Sequence, residues 1–185
     1  MRHTVRVPRT RTSIDRDAKV DEILDAAVAQ LRAGGPATLS VAAIARELGL
    51  AQNAVYWYFP SKDELFVAAV DRMLRDVVAR KPPRQRSTKA KVLWFVDQLG
   101  ELEPVRSALR DRGRSSDVVA AFQAEVDATF HRMLSNVLAS DLPDPAHRAL
   151  AVDALVATIQ GALQRPLDRQ QRRRLVGFAY DRLAA

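Results

Sequence analysis

The chain has 185 residues, of which 48% are hydrophobic, and this is enough for one sizeable core or two smaller ones. Its formal net charge of +7 and pI of about 10.3 suit a polyanionic partner without identifying one. The absence of cysteine excludes disulfides, cysteine-type zinc sites and thiol catalysis. No apolar run approaches the roughly 18 residues of a membrane helix and no apolar signal core is present, so we expect a cytoplasmic protein without a membrane partner.

The first stretch is rich in arginine and threonine. This composition is too polar to fold on its own, so we predict a basic disordered arm over residues 1–15. Such an arm either stays in solvent or lies along DNA, as the arms of some DNA-binding proteins do. After it, apolar residues from Val20 to Leu31 recur with helical spacing, and Gly34, Gly35 and Pro36 end that helix.

Two short helices are predicted next, joined by a turn. Ser40 supplies an N-cap oxygen to the first, and Gly49 stands where a left-handed residue ends it. The second runs from about Gln52 to Tyr58, and two short helices around such a turn are typical of the helix-turn-helix motif. The second helix of that motif lies in the DNA major groove.

The outward residues of the second helix favour DNA as the partner. Gln52 and Asn53 lie near its N-terminus and can pair two-pronged with adenine. The aromatic run 56–58 is too bulky for so short a helix to bury completely. Ser61 and Glu64 then fit a capping box, and Lys62 beside the free N–H groups of the new helix makes a candidate phosphate site.

This stretch resembles the TetR family of transcriptional repressors. The resemblance rests on Ile44-Ala45, Gly49, Tyr56-Trp57-Tyr58-Phe59, Pro60-Ser61-Lys62 and Glu64-Leu65, and covers about the first third of the chain. It implies a DNA-binding domain over residues 16–61, with Tyr56 and Lys62 on phosphates. The expected DNA-contact set is Ser40, Gln52, Asn53, Ala54, Tyr56, Trp57, Tyr58 and Lys62. Two positions depart from the family pattern: Ala51 replaces the usual Ser or Thr cap, and Ala42 stands where some relatives carry a base-reading Arg.

The rest of the chain is predicted to be helical, which makes the fold all-α. A fourth helix from Lys62 to about Arg80 links the two halves, and a basic linker surrounds Pro82-Pro83. Further helices end at Pro104, run from about Ser116 to Ala139, open at Asp144-Pro145, and finish near Leu183. We assign residues 62–185 to a regulatory, ligand-binding and dimerisation domain.

The last two helices carry small and apolar residues that are suited to close helix packing. The resemblance implies a two-fold four-helix interface between two copies, and the alternative is that these residues complete the monomer core. The predicted interface residues are Ala154, Leu155, Thr158, Ile159, Ala162, Val176, Ala179 and Leu183.

A small-molecule effector is expected to occupy the second half. Aromatic and polar residues there could enclose a pocket, although each is also an ordinary core or surface residue. The pocket candidates are Trp94, Gln98, Arg106, Phe122, Phe130, His131 and Met133. A ligand filling this space would displace the fourth helix and change the separation of the two recognition helices.

The sequence does not favour an enzyme. It has three histidines, no Gly-x-Ser-x-Gly motif and no phosphate-binding glycine loop, and we predict neither a cofactor nor a metal site. The prediction is therefore a sequence-specific regulator, for which the resemblance implies a repressor that a small-molecule ligand releases from an inverted-repeat DNA operator. The alternative is a non-specific or architectural DNA-binding module, or a protein-interaction module, without an effector. Tyr56 and Lys62 fit non-specific phosphate binding equally well, so they do not decide between the two.

Overall fold

The structure is a computed structural model that describes residues 11–80 and 87–184, with side chains from residue 15 onward. All regular structure within those residues is helical, which confirms the all-α fold. The chain divides into two compact units, one ending at Met73 and the other beginning at Leu74. None of the helices in the described ranges combines the length and apolar character needed to cross a membrane.

The first unit is built on a long N-terminal helix. Its elements are α1 (Arg11–Gly34), a 3-10 turn (Pro36–Thr38), α2 (Val41–Glu47), α3 (Gln52–Tyr58) and the first part of α4 (Lys62–Ala79). Because α1 begins at Arg11, residues 11–15 are helical and do not belong to the predicted arm. Residues 1–10 lie outside the described part of the chain.

The turn between α2 and α3 is fixed by Gly49. Its φ of 65° is in the left-handed region that favours glycine. The backbone N–H of Leu50 donates to the carbonyl of Ala45 at 2.8 Å, and that of Gly49 donates to the carbonyl of Arg46 at 3.3 Å. This pair of bonds is a Schellman motif, which ends α2 and aims the chain into α3.

The first half of α4 belongs to the first unit. Its apolar face is buried, with Leu65 and Phe66 fully covered, and Arg72 forms ion pairs with Asp21 at 3.0 Å and Asp25 at 2.9 Å on α1. The division inside α4 therefore corrects the boundary that the sequence analysis set before Lys62. The reason is that α4 has to complete the core that the two short helices cannot close alone.

The second unit contains the end of α4 and five further helices. These are α5 (Thr88–Glu101), α6 (Glu103–Arg112), α7 (Asp117–Leu138), α8 (Pro145–Gln164) and α9 (Arg169–Leu183). Pro104, predicted to end a helix, lies instead in the first turn of α6, where its missing N–H costs nothing. The Pro82-Pro83 segment of the predicted linker lies outside the described residues.

The core of the second unit lies between α5, α7, α8 and α9. One charged side chain is buried beside this core: the Asp97 carboxylate on α5 is only 3% exposed. It accepts hydrogen bonds from Arg169 at 2.7 Å and Arg173 at 2.6 Å, both on α9. This pairing holds α9 against α5 and compensates for the desolvation of the carboxylate.

Candidate nucleic-acid interface and ligand cavity

Helix α3 presents a polar and aromatic face to solvent. Its inward residue Val55 is fully buried, whereas Gln52, Asn53 and Trp57 are exposed. Asn53 and Trp57 are four residues apart and therefore lie on one side of the helix. Two carboxamides and an indole on one exposed face can donate to and accept from base edges in a groove.

The three aromatic residues 56–58 differ in their exposure, as expected for side chains that a short helix cannot bury completely. Trp57 is 70% exposed, while Tyr56 and Tyr58 are half-buried. The Trp57 ring meets the edge of Tyr58 at a centroid distance of 5.3 Å, and the guanidinium carbon of Arg16 lies 5.3 Å from the Trp57 ring centroid. Both distances are within the range of attractive aromatic and cation–π contacts, so Trp57 is held in place although it is exposed.

Arg16 is a candidate site residue that the sequence analysis missed. It lies on α1 and is 41 positions before Trp57, so no local spacing connects the two residues. Only the packing of α1 against the helix-turn-helix brings its guanidinium to the exposed face. Its positive charge also suits a phosphate neighbour.

Helix termini supply the remaining parts of this face. The Ser40 hydroxyl oxygen accepts from the Ala43 N–H at 3.3 Å and caps α2, whereas Ala51 gives α3 no side-chain cap. At the start of α4, the Ser61 hydroxyl oxygen accepts from the Glu64 N–H at 3.0 Å, and Lys62 is exposed. An N-terminus with an exposed lysine attracts a phosphate group. Ala54 is half-buried between these features.

The second unit contains an apolar cavity of about 180 Å³. Three predicted pocket residues, Trp94, Phe130 and Met133, line it. The remaining lining residues come from the end of α4, α5, α7 and α8, and are Val77, Val78, Arg80, Lys91, Val92, Phe95, Val96, Leu134, Val137 and Ile159. The cavity is therefore hydrophobic inside, and Arg80 and Lys91, which are both exposed, contribute mainly their aliphatic stems to its wall.

The four other pocket candidates do not line this cavity. Gln98 accepts from Arg80 at 2.9 Å, and Phe122 is half-buried elsewhere on α7. Arg106 pairs with Glu103 at 2.9 Å, and burial lowers the pKa of Arg106 although Glu103 opposes the shift. Gln98 and Arg106 each already have a polar partner, which makes neither of them a free anchor for a ligand in this cavity.

His131 also belongs to a separate polar cluster. One ring nitrogen lies 3.0 Å from the Asp127 carbonyl oxygen and the other lies 3.4 Å from the Asp153 carboxylate. Burial raises the pKa of the Asp127 carboxyl, while Arg106 and the histidine oppose that shift. Among the described residues, no group of three or more His, Cys, Asp or Glu side chains is arranged to hold a metal ion.

The predicted dimer residues divide into two sets. Leu155, Ile159, Ala162 and Val176 are at most 1% exposed and lie in the core of the single chain. They cannot supply contact area to a second copy, so their assignment to an interface is corrected. Their apolar character reflects the monomer core, which was the alternative interpretation.

A second set of residues, distinct from the buried ones, is exposed on the outward side of α8. Leu150, Ala154, Ala157 and Gly161 are exposed, and their spacing of four, three and four residues places them in one stripe. Leu150 is 72% exposed and, on α9, Phe178 is 60% exposed. Ala179 and Leu183 are partly buried against the core, and Thr158 is half-buried with its hydroxyl donating to the Ala154 carbonyl at 2.8 Å.

Comparisons with known proteins agree with these features. Residues 23–69 match the model of a family described as bacterial regulatory proteins, tetR family. This range includes α2, α3 and the first part of α4. No curated protein sequence matches the chain.

Solved structures share the fold over most of the length. A transcriptional regulator from Rhodococcus sp. Rha1 is 19% identical with a TM-score of 0.69, covering 89% of this chain and 95% of its own. A TetR transcription regulator from Haloarcula marismortui is 21% identical with a TM-score of 0.67, covering 89% and 96%. BioQ, solved with its double-stranded DNA operator, is 23% identical with a TM-score of 0.63, covering 89% and 97%.

Proposed function

We propose that this chain is a member of the tetR family of bacterial regulatory proteins and that it represses transcription as a ligand-released homodimer on an inverted-repeat operator. Regulation of transcription through DNA binding follows from the family. The observation that carries the proposal is the exposed face of α3, with Gln52, Asn53 and Trp57, together with the exposed Lys62 at the start of α4. The solved relative that holds its DNA operator supports the choice of duplex DNA as partner.

The α3 face supplies the parts that sequence-specific binding needs. Carboxamides select bases by pairing with their edges, whereas Lys62 and the α4 N-terminus attract the backbone whatever the sequence. Arg16 holds Trp57 in an outward position, so little side-chain entropy is lost when DNA covers the indole. The result is a preformed surface for one half-site.

A homodimer supplies the second half-site. The stripe from Leu150 to Gly161 on α8 has the spacing of a helix–helix seam, and its small residues allow a close approach. Exposed Phe178 on α9 adds apolar area outside the monomer core. A two-fold pair along α8 and α9 presents two α3 helices to an operator whose half-sites are about one DNA turn, roughly 34 Å, apart.

Helix α4 gives the ligand a path to the DNA-binding unit. Val77 and Val78, near its end, line the cavity, while Leu65 and Phe66, near its start, are buried in the first unit. A ligand that displaces the last turns therefore acts on the same helix that supports the helix-turn-helix. Coupling of about 1–3 kcal/mol changes DNA affinity roughly 5- to 150-fold.

The first test is a selection from random duplex DNA by the purified protein at near-physiological salt, followed by sequencing of the retained fraction. We expect an inverted repeat with half-sites about one turn apart. Salt has to be controlled because phosphate contacts alone give affinity without selectivity. Retention without an enriched motif contradicts the regulator proposal and favours a non-specific DNA-binding module.

The dimer is tested separately by light scattering. The native protein is expected at twice its 20.6 kDa chain mass, and Ala157→Glu is expected at the monomer mass because it places charges in the seam. Operator affinity of this variant should fall about 100-fold or more, since the two half-sites are then bound independently. Ala124→Glu, at an exposed position on α7, is the matched control and should remain dimeric.

A further inference from the structure

The cavity of the second unit has a wall chemistry that restricts what it can bind. The Phe95 and Phe130 rings are stacked, with centroids 5.8 Å apart and an interplanar angle of 18°. Trp94 and Met133 line the same space, and both are half-buried. Aromatic faces and a polarizable thioether favour an aromatic guest, because ring–ring and sulfur–ring contacts add to simple burial.

The size of the cavity also limits the guest. Its volume is about 180 Å³. An apolar cavity of about 150 Å³ admits benzene, whereas sites for drug-sized ligands begin at about 300 Å³. The space therefore fits one aromatic ring with a short substituent.

The two charged residues at the edge of the cavity are both cationic. Arg80 and Lys91 line it with their stems and are exposed, and none of the described lining residues is acidic. Arg80 already donates to Gln98 at 2.9 Å and lies 3.8 Å from a Glu101 carboxylate oxygen, so part of its charge is compensated. The Lys91 ammonium has no hydrogen bond or ion pair within the described residues, although its charge contributes to lowering the pKa of the Asp141 carboxyl.

We propose that this cavity binds a small aromatic carboxylate, with its ring between Phe130 and Trp94 and its carboxylate at the Lys91 ammonium. The inference rests on the proposed function, for which it names the chemical class of the effector. An ammonium next to an apolar cavity forms a stronger hydrogen bond with a carboxylate than with a neutral group. The same lysine repels a cationic guest of equal size.

The test uses the tryptophan in the cavity wall as its reporter. The chain has two tryptophans, so Trp57→Phe leaves Trp94 as the only one. Its fluorescence is titrated with phenylacetate, 2-phenylethanol and 2-phenylethylamine, which share a ring and a two-carbon substituent but differ in charge. We expect phenylacetate to bind roughly tenfold more tightly than the alcohol and the amine to bind most weakly.

Lys91→Met in the same background should reduce the preference for phenylacetate over the alcohol to about twofold or less, because the methionine keeps the apolar stem without the charge. Lys89→Met is the matched control. Lys89 lies on the same helix but pairs with Asp181 at 2.6 Å and does not line the cavity, so its loss should leave the preference unchanged. Equal binding of acid and alcohol, or a preference that survives Lys91→Met, overturns the proposal.

DNA affinity is measured on the protein with both tryptophans, so the two proposals fail separately. Phenylacetate that binds the cavity and weakens operator binding supports both. Phenylacetate that binds with unchanged operator affinity supports the ligand class and contradicts the release mechanism. If none of the three compounds changes Trp94 fluorescence while the inverted repeat is still selected, the ligand class is wrong and the regulator remains.

Discussion

The two tryptophans of this chain mark two kinds of functional surface. Trp57 is 70% exposed on α3, in a helix whose outward side has no role in the core. Trp94 lines a cavity whose other walls are core helices. At the α3 face, affinity and stability are carried by different residues, whereas at the cavity the same side chains provide both.

This difference predicts how each surface tolerates change. Exposed residues away from structural contacts alter stability by about 0.5 kcal/mol or less when replaced. Residues that stack within a core wall cost several times more, because a replacement leaves a void. Substitutions should therefore abolish recognition at α3 without unfolding, and affect stability and binding together at the cavity.

The largest expected effect is on operator selectivity. Gln52→Ala and Asn53→Ala should each remove about 1–3 kcal/mol of discrimination between operator and random DNA, because each deletes a two-pronged base contact. Binding is compared by fluorescence anisotropy on both DNAs, with Lys62→Ala expected to weaken both alike. Asn136→Ala removes the same group from an exposed position on α7 and should change neither affinity. If a variant at position 52 or 53 lowers the affinity for operator and random DNA equally, that residue contacts phosphate and not a base.

The next effect is on stability at the cavity. Phe130→Ala should lower the free energy of unfolding by about 2 kcal/mol, less than for a fully buried phenylalanine, because Phe130 is half-buried and stacked on Phe95. Urea unfolding measures this value. Trp57→Ala, the counterpart on α3, should change it by about 1 kcal/mol or less, because it removes only the contacts with Tyr58 and Arg16 at an exposed position. Equal losses in the two variants would contradict the distinction between the surfaces.

The same contrast explains what the sequence reveals. Apart from Arg16 on α1, the α3 face lies within one stretch of 25 residues, whose caps, glycine and aromatic run follow local rules, so those residues could be named from their order in the sequence. The cavity draws on residues from Val77 to Ile159, and its side chains repeat with the same helical spacing as any core residue. Trp94, Phe130 and Met133 were identified by their chemistry, but Arg80 and Lys91 were not.

The side of a helix that faces the core is equally hard to infer from composition. Leu155 and Ala154 are adjacent on α8, yet one is in the core and the other is exposed. The apolar pattern of α8 continues around most of the helix, so periodicity does not separate the face toward the core from the face toward a partner. Only the positions of α5, α7 and α9 decide which side is already covered.

A smaller effect is expected from Arg16, which links α1 to the α3 face. Arg16→Ala should weaken operator binding by about 0.5–1 kcal/mol, or roughly two- to fivefold, because Trp57 loses its cation–π neighbour. Arg16→Lys distinguishes positioning from charge, since lysine keeps the charge but stacks less well on an indole. In a Trp94→Phe variant, Trp57 is the only tryptophan. Removing Arg16 from this variant should lower the fluorescence anisotropy of Trp57, because the indole becomes more mobile. Unchanged Trp57 anisotropy with weaker binding would assign Arg16 to a phosphate contact alone.

The smallest expected effect is on the stability of the second unit at acid pH. Asp141 accepts hydrogen bonds from Tyr180, from Ser140 at 2.8 Å and from Thr88 at 2.8 Å, and these bonds, with Tyr180 first, lower the pKa of its carboxyl. Since the unfolded chain takes up this proton first, near its ordinary pKa of about 3.9, the stabilisation is complete above that pH and is lost as the pH falls through the lower folded value.

Unfolding of the Trp57→Phe protein, followed through Trp94, should therefore show stability that declines below about pH 4. Asp141→Asn should be less stable at neutral pH and should decline less steeply in acid, whereas Asp111→Asn, at an exposed position on α6, should follow the parent. If the stability of Asp141→Asn declines as steeply with falling pH as that of the parent, other carboxylates cause the decline. In that case the contacts from Asp141 to α5 and α9 would not set the acid stability of the cavity walls.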